Sequence, residues 1–323
     1  MSRPLCSSFA VDLNNLIELK KATGYSENTY LSRARDFDEF CEANYPDAGV
    51  ITEPLAVQWI KNTYEHQRSA LHERIAFLRI FGKYQVSMGK KAYVIQEQYS
   101  SGKSIFAPYI MTDREIEALF AAIDTLWPGD AFKQLQMSTY FRLTYTCGLR
   151  PGEGRELLRK DVDLNTTEIR LVNTKWHKSR TIVMSDDMAA LMRKYASVRD
   201  ACFGINTYMF PKPQGGPYTA TAIMNSLRRA FAKSKPGIEK DLLPTIRVYD
   251  LRHRFATKVL HNWLDAGMDL NARLPYLQAY MGHKELNATA YYIHLLPENL
   301  VRSSGVDWEN LNSILPEVEL WEK

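Results

Sequence analysis

Apolar residues recur three and four positions apart through most of this chain, and two short stretches break the pattern. Glu168 to Val172 and Arg180 to Met184 alternate and carry β-branched residues, with Asn173-Thr174-Lys175-Trp176-His177-Lys178-Ser179 between them. Two alternating runs around a polar, basic connection predict a β-hairpin with a basic tip. The fold expected is therefore mainly α with a small antiparallel β-sheet, an α+β chain in which helices carry one hairpin.

The helical part reads as two blocks. In the first, Val11, Leu13, Leu16 and Ile17 form one stripe ending near Gly24, and Ser26-Glu27-Asn28-Thr29-Tyr30 opens a second helix that buries Tyr30, Ala34, Phe37 and Phe40-Cys41. Pro54 begins a third with Val57, Trp59 and Ile60, and a fourth carries Ile75, Leu78, Phe81 and Tyr84. The polar Tyr99-Ser100-Ser101-Gly102-Lys103-Ser104 then interrupts all periodicity, which is how a linker reads. The expected domains are a helical bundle over 1–100, a linker over 101–106 and a second domain over 107–323. Thr112-Asp113-Arg114-Glu115 opens the second domain with a capping-box pattern, followed by Ile116, Leu119, Phe120 and Ile123 at helical spacing. Further helices are predicted to end at Cys147-Gly148, to start at Pro151, and to cover Asp187 to Tyr195, Thr219 to Lys233, a stripe from Leu251 to Trp263 closed by Gly267, and Leu274 to Met281. Asp161 and Asp163 read as turn residues.

Composition narrows the function classes. With 323 residues and 45% hydrophobic content the chain can bury two cores, and it holds no apolar run of the roughly 20 residues that a membrane span needs. The start Met1-Ser2-Arg3-Pro4-Leu5 lacks the apolar segment of a secretory signal, so the cytoplasm is the expected location and no membrane partner is expected. Four separated cysteines (Cys6, Cys41, Cys147, Cys202) suggest neither a zinc site nor a disulfide framework. No HExxH, Walker-type loop or GxSxG elbow is present, and neither a metal nor a cofactor is expected. The formal charge of +4 is compatible with nucleic acid, but the placement of the cations has to carry that case.

That placement is informative near Gly282-His283-Lys284-Glu285-Leu286-Asn287-Ala288-Thr289-Ala290-Tyr291-Tyr292-Ile293-His294. The stretch reads as a helix stop at Gly282, a polar turn, an N-cap at Asn287 and a new helix bearing adjacent tyrosines. Upstream, Arg150, Lys175 and Arg252 each sit at the start or end of an expected element. Guanidinium forks, a lysine, a histidine and a phenol together suit a phosphodiester: cations for its oxygens and a hydroxyl for attack. Singly, each has an ordinary structural explanation, such as a core aromatic, a helix-end charge or a cap.

Taken in order, Thr146-Cys147-Gly148-Leu149-Arg150-Pro151-Gly152-Glu153, Lys175 in a hairpin, Tyr249-Asp250-Leu251-Arg252-His253, Met281-Gly282-His283 and Tyr292-Ile293-His294 resemble the tyrosine recombinases, the phage-integrase family, and its Xer and transposon-integrase members in particular. The resemblance covers roughly residues 107 to 300, and the helical bundle before it looks like that family's core-binding domain. It implies a catalytic set of Arg150, Lys175, Arg252, His283 and the nucleophile Tyr292, chosen over Tyr291 because it lies nine residues beyond His283 within Y-x-H. It also implies cleavage through a 3′-phosphotyrosyl bond, duplex DNA as partner, four protomers on two DNA sites, and a C-terminal segment that packs on a neighbour. Trp308, Leu311, Leu315 and Val318 give that segment an apolar stripe, which could equally fold back in cis. Accessory DNA-bending or directionality proteins stay open, as does the role: integration, excision or transposition of a mobile element, or chromosome-dimer resolution.

One position departs from the family pattern. Tyr249 stands where the first histidine of H-x-x-R usually lies, and a phenol with a pKa of about 10 is a poor proton acceptor at neutral pH. The base could then be water, His283 or a hydrogen bond through Tyr249. The departure keeps two alternatives in view: a DNA-binding protein of the same fold with impaired chemistry, and a type IB-like topoisomerase. Expected phosphate contacts are Arg68, Arg74, Arg79, Lys83 and Lys90 in the first domain, Lys178 at the hairpin tip, and Arg228 and Arg229 on the outer face of a helix.

Overall fold

The computed structural model describes residues 4–25, 27–61, 68–96, 108–172, 179–205 and 207–296. The chain divides into two compact units, Met1–Phe106 and Ala107–Lys323. The expected linker, 101–106, lies outside the described residues.

The first unit contains α1 (Ala10–Ala22), α2 (Glu27–Asn44), α3 (Glu53–Lys61) and α4 (Arg68–Ser87). Its core gathers on Phe37, whose ring lies 5.4 Å from Phe9, 5.0 Å from Trp59, 6.0 Å from Phe77 and 5.7 Å from Phe81. Leu13, Leu16, Ile17, Ala34, Ile75 and Leu78 fill the space around these rings, as their spacing predicts. Two members of the expected stripes face outward instead: Val11 is 72% exposed and Val57 38% exposed. Each sits one helical step outside the contact face, since Leu13, Leu16 and Ile17 already define that face on α1. The N-terminal end is tied down by buried Asp38, whose carboxylate accepts from the Cys6 and Ser7 backbone N–H groups at 2.8 and 3.0 Å.

The second unit begins with α5 (Asp113–Ile123), where Thr112 and Glu115 form the reciprocal cap: the Glu115 N–H reaches Thr112 Oγ1 at 3.2 Å and the Thr112 N–H reaches Glu115 Oε2 at 2.9 Å. Next come α6 (Ala131–Thr146) and α7 (Pro151–Glu156). A three-stranded antiparallel sheet follows in the order β1 (Val162–Asp163), β2 (Glu168–Leu171), β3 (Arg180–Val183), with Ile169 opposite Ile182. The first strand is an addition to the expected hairpin. Asp163 serves both roles at once, pairing with Glu168 while its carboxylate accepts the N–H groups of Asn165 and Thr166 at 2.8 and 3.1 Å.

The remaining helices are α8 (Asp186–Cys202), α9 (Ala220–Ser234), α10 (Val248–Asp265), α11 (Leu270–Met281) and the single turn α12 (Asn287–Ala290). A 3-10 helix, Tyr291–Leu295, carries the adjacent tyrosines. One core runs from α5 through the sheet to α9, and a smaller one joins α10, α11 and the tyrosine segment through Leu260, Leu274, Leu277, Met281, Tyr292 and Ile293. The stop at Gly282 is left-handed, with φ 65°. The expected Asn287 cap is not formed, because the chain is already helical at Leu286 (φ −63°, ψ −34°) and no extended residue precedes the turn to fold a side chain back. Among the described residues, no helix is long and apolar enough to cross a membrane.

Candidate functional site

The pocket is built on a junction of four segment ends. Gly148 follows α6 in a left-handed conformation (φ 57°), and Arg150 follows as the extended N-cap of α7. A side chain at position 148 is excluded twice over: the backbone angle disfavours it, and a Cβ there would lie 2.3 Å from Phe255 Cδ1. The close approach brings the end of α6 down on α10, where Arg252 is completely buried. The Arg252 guanidinium donates to the Gly148 carbonyl at 2.6 Å and to the Met281 carbonyl at 2.7 Å. One buried cation thus holds the end of α6 against the end of α11, and its buried Nε has no hydrogen-bond partner among the described residues.

Arg150 is held the same way from the other side. It donates to the Gly282 carbonyl at 2.6 Å and to Glu153 Oε1 at 2.7 Å, while its backbone N–H meets Glu153 Oε2 at 2.9 Å. Glu153 also receives a two-pronged contact from Arg180, at 2.8 Å to each oxygen, and Arg180 Nε donates to the Tyr280 carbonyl at 2.8 Å. Burial pushes the Glu153 carboxyl up, but the Arg180 fork and Arg150 outweigh it and hold the group down at about 2. Two cations balanced by one shared carboxylate leave a positive surplus on the pocket floor.

His283 lies directly beyond the Gly282 stop. Its Nε2 is 3.0 Å from Arg252 Nη2 and its Nδ1 is 2.8 Å from Thr289 Oγ1. A guanidinium can only donate, so Nε2 accepts, and the ring proton sits on Nδ1 and goes to Thr289. Burial first, then Arg252, Arg150 and Arg180, lower its pKa to about 3, so the ring is neutral. Tyr292, 2% exposed, lies nearly parallel to this ring at 6.0 Å. Burial raises its phenol to about 12 against the pull of the Arg252 charge. Arg150, Tyr249, His253, His283 and Tyr292 line one cavity of about 650 Å³. A second of about 610 Å³ shares Arg150 and Tyr249 with it and carries Lys160 and Arg170 on its wall.

Four of the residues singled out from sequence, Arg150, Tyr249, His283 and Tyr292, meet at this cavity, and Arg252 is bonded to His283 behind it. Lys175 and Lys178 lie outside the described residues, as does the side chain of Arg68. Three cations proposed as phosphate contacts are engaged within the first unit. Arg74 bonds Asp36 through two nitrogens at 3.0 Å and stacks on Trp59, Arg79 donates to the carbonyls of Ile95 and Gln96, and Lys90 pairs with Asp12 at 2.7 Å. Lys83, Arg228 and Arg229 are exposed, the last two beside a groove of about 330 Å³ with Lys240.

Sequence reasoning passed over Arg180, His253 and Thr289. Arg180 had a visible signal, since it shares a strand face with buried Ile182 and a charge on that face needs a partner. His253 had one too, standing one helical turn from Tyr249. Thr289 had none.

The Tyr292 phenol, the His283 ring and the Arg150 guanidinium thus line one cavity, with the Arg252 guanidinium bonded behind it. The chain belongs to the phage integrase family, whose model matches residues 110–299, and it is by that membership a site-specific DNA recombinase of the tyrosine type. It is similar to the putative integrase/recombinase y4rE of Sinorhizobium fredii, 28% identical over 86% of this chain and 88% of that one. Tyrosine recombinase XerC of Staphylococcus saprophyticus is 25% identical over 88% of this chain and 92% of its own length. Among solved structures, XerH bound to difH in a post-cleavage complex matches with a TM-score of 0.65 at 19% identity, covering 94% of this chain and 85% of that one. The Tn1549 transposon integrase in complex with transposon right end DNA matches with a TM-score of 0.61 at 16% identity, covering 90% and 97%.

Proposed function

We propose that Tyr292 is the nucleophile, attacking a DNA phosphodiester to form a 3′-phosphotyrosyl bond that is later transferred to a second strand. The observation that carries this reading is the shared cavity of Tyr292, Arg150 and His283, with Arg252 bonded to His283 behind it. Attack builds negative charge on the nonbridging oxygens, and fixed guanidiniums stabilise it without reorganising. Arg150 takes that role from the cavity wall, and the buried Arg252 charge adds to it from behind. His283, with both nitrogens engaged, holds the Arg252 fork in place, and contact with the phosphate would require it to exchange one of those bonds. Lys175 on the hairpin protonates the leaving 5′ oxygen. The phosphotyrosyl bond conserves the energy of the broken ester, so rejoining needs no nucleotide cofactor.

The partner is duplex DNA, gripped on the catalytic side by the basic wall of Lys160 and Arg170 and by the hairpin tip with Lys178, and elsewhere by Lys83, Arg228 and Arg229. The first unit acts as the core-binding domain, residues 101–106 as its linker, and the protein works in the cytoplasm on a mobile element's ends. Support for a tetramer on two sites comes from a solved lambda integrase tetramer bound to a Holliday junction, to which this chain is similar in fold (TM-score 0.61). In a tetramer of this chain, the segment after Tyr292 would offer its stripe of Trp308, Leu311, Leu315 and Val318 to a neighbouring protomer.

A nicked duplex carrying the cognate site should trap a covalent adduct with the wild-type chain and none with Tyr292→Phe. An adduct that survives in Tyr292→Phe would transfer the role to Tyr291. The phenol at position 249 favours a second reading, a DNA-binding protein with impaired chemistry. Tight binding of the site by wild-type protein with no adduct at any pH would select it.

A further inference from the structure

Two histidines line the Tyr292 cavity, and their ring nitrogens are in opposite situations. His283 has Nε2 occupied by Arg252 and Nδ1 by Thr289, so it has no open lone pair. His253, 9% exposed, has a buried Nδ1 with no hydrogen-bond partner among the described residues. Buried polar atoms in folded proteins are nearly always paired, and an exception calls for an explanation, of which a catalytic role is one. The His253 ring lies 5.5 Å from the Tyr292 ring and 4.9 Å from the Tyr249 ring, so it contacts both the proposed nucleophile and the position where the family pattern has its histidine. Positions 249 and 253 share one face of α10, so an imidazole one turn along still faces the same cavity.

We propose that His253 is the proton acceptor for Tyr292, supplying the basic nitrogen that Tyr249 does not. The proposal rests on the assignment of Tyr292 as nucleophile. As the Tyr292 oxygen bonds to phosphorus, its O–H bond breaks and the proton passes to the open His253 nitrogen. The bond from phosphorus to the 5′ oxygen breaks, and that oxygen takes a proton from Lys175. Rejoining runs the same transfers backwards, and His253 returns the proton to the phenol. Burial, then the Arg247 and Arg252 charges, hold the His253 imidazole down at about 4, so the lone pair is present at neutral pH. A phosphodiester anion bound at Arg150 and Arg252 offsets part of that cationic field and makes the ring more basic when it is needed. His283 cannot take this part without giving up Arg252.

The probe is a nicked duplex recovered from a randomised pool by covalent capture with the wild-type chain. His253→Gln is expected to form adduct about a hundredfold more slowly at unchanged DNA affinity. The deficit should persist on the same duplex with a 5′-bridging phosphorothiolate, whose thiolate leaves without a proton, whereas a Lys175→Ala deficit should disappear there. A His253→Gln rate within about threefold of wild type, or a deficit abolished by the sulfur substrate, overturns the assignment and leaves Tyr292 in place. A pool from which the wild-type chain captures nothing takes down the Tyr292 reading, and this one with it. Should His253→Gln fail to fold, ¹⁵N-histidine spectra of DNA-bound wild type and Tyr292→Phe decide the matter. The ring nitrogen signals of His253 should differ between the two, and identical signals overturn the proposal.

Discussion

The core of the first unit and the pocket floor of the second are equally buried and are held by opposite means. Around Phe37 the contacts are rings against rings, and the Arg74 guanidinium stacks on one of them, Trp59. Around Arg252 the contacts are N–H groups aimed at carbonyls, a carboxylate shared by Arg150 and Arg180, and a histidine fixed at both nitrogens. A ring core tolerates repacking because dispersion has no direction. The polar floor does not, since each buried donor that loses its acceptor incurs its full desolvation cost. The difference teaches where function can be built: the groups proposed to meet the phosphate are fixed by the same bonds that close the second unit.

Substitutions can break or sharpen that contrast. The largest effect is expected for Arg252→Lys, because an ammonium cannot span the Gly148 and Met281 carbonyls as a planar fork does. Strand cleavage in a nicked-duplex assay should fall about a thousandfold, and a loss under tenfold would show that charge alone suffices. Phe37→Ala should cost the first unit about 3–5 kcal/mol, read by faster amide exchange in α1 to α4. A smaller loss would mean that the ring core collapses around the gap.

Glu153→Gln should follow at about 3 kcal/mol, and the sign of its pH dependence is fixed. The native carboxyl sits at about 2 against an ordinary 4.5, so its contribution is full above about 4.5 and disappears as pH falls through about 2. Acid unfolding of the wild type should therefore steepen in that window and flatten in the variant. Equal acid profiles would show that Arg150 and Arg180 find other partners. Gly148→Ala, forced into left-handed backbone against Phe255, should cost about 2 kcal/mol by chemical denaturation and slow cleavage with it, because it moves a carbonyl that Arg252 holds. Val11→Lys, on the exposed side of α1, should change stability by less than about 0.5 kcal/mol in the same assay.

Legibility in the sequence divides along the same line. Leu13, Leu16, Ile17, Phe37 and Phe81 were readable because burial of apolar groups has a period, and the Thr112 cap because it uses a fixed spacing. Val11 and Val57 were misread because period alone does not give the width of the buried stripe. Arg150, Arg252, His283 and Tyr292 could be named from motif order, yet nothing in that order told that Arg252 would bond carbonyls rather than Glu153 or Asp250. Thr289, which fixes the His283 tautomer, is one threonine among many until the chain is folded. Long-range polar pairing has no period, so it shows only in three dimensions or as a charge on an otherwise apolar face, as at Arg180.

The two carbonyls held by Arg252 have a consequence for the newly made chain. Gly148 leaves the ribosome long before Met281, and until both have emerged and docked, the guanidinium cannot join the end of α6 to the end of α11. Tyr292 follows eleven residues after Met281 (292 − 281 = 11). Under the proposed assignment, a polypeptide that stops short of Met281 should therefore be unable to cleave DNA, because one of the two carbonyls that fix Arg252 is missing.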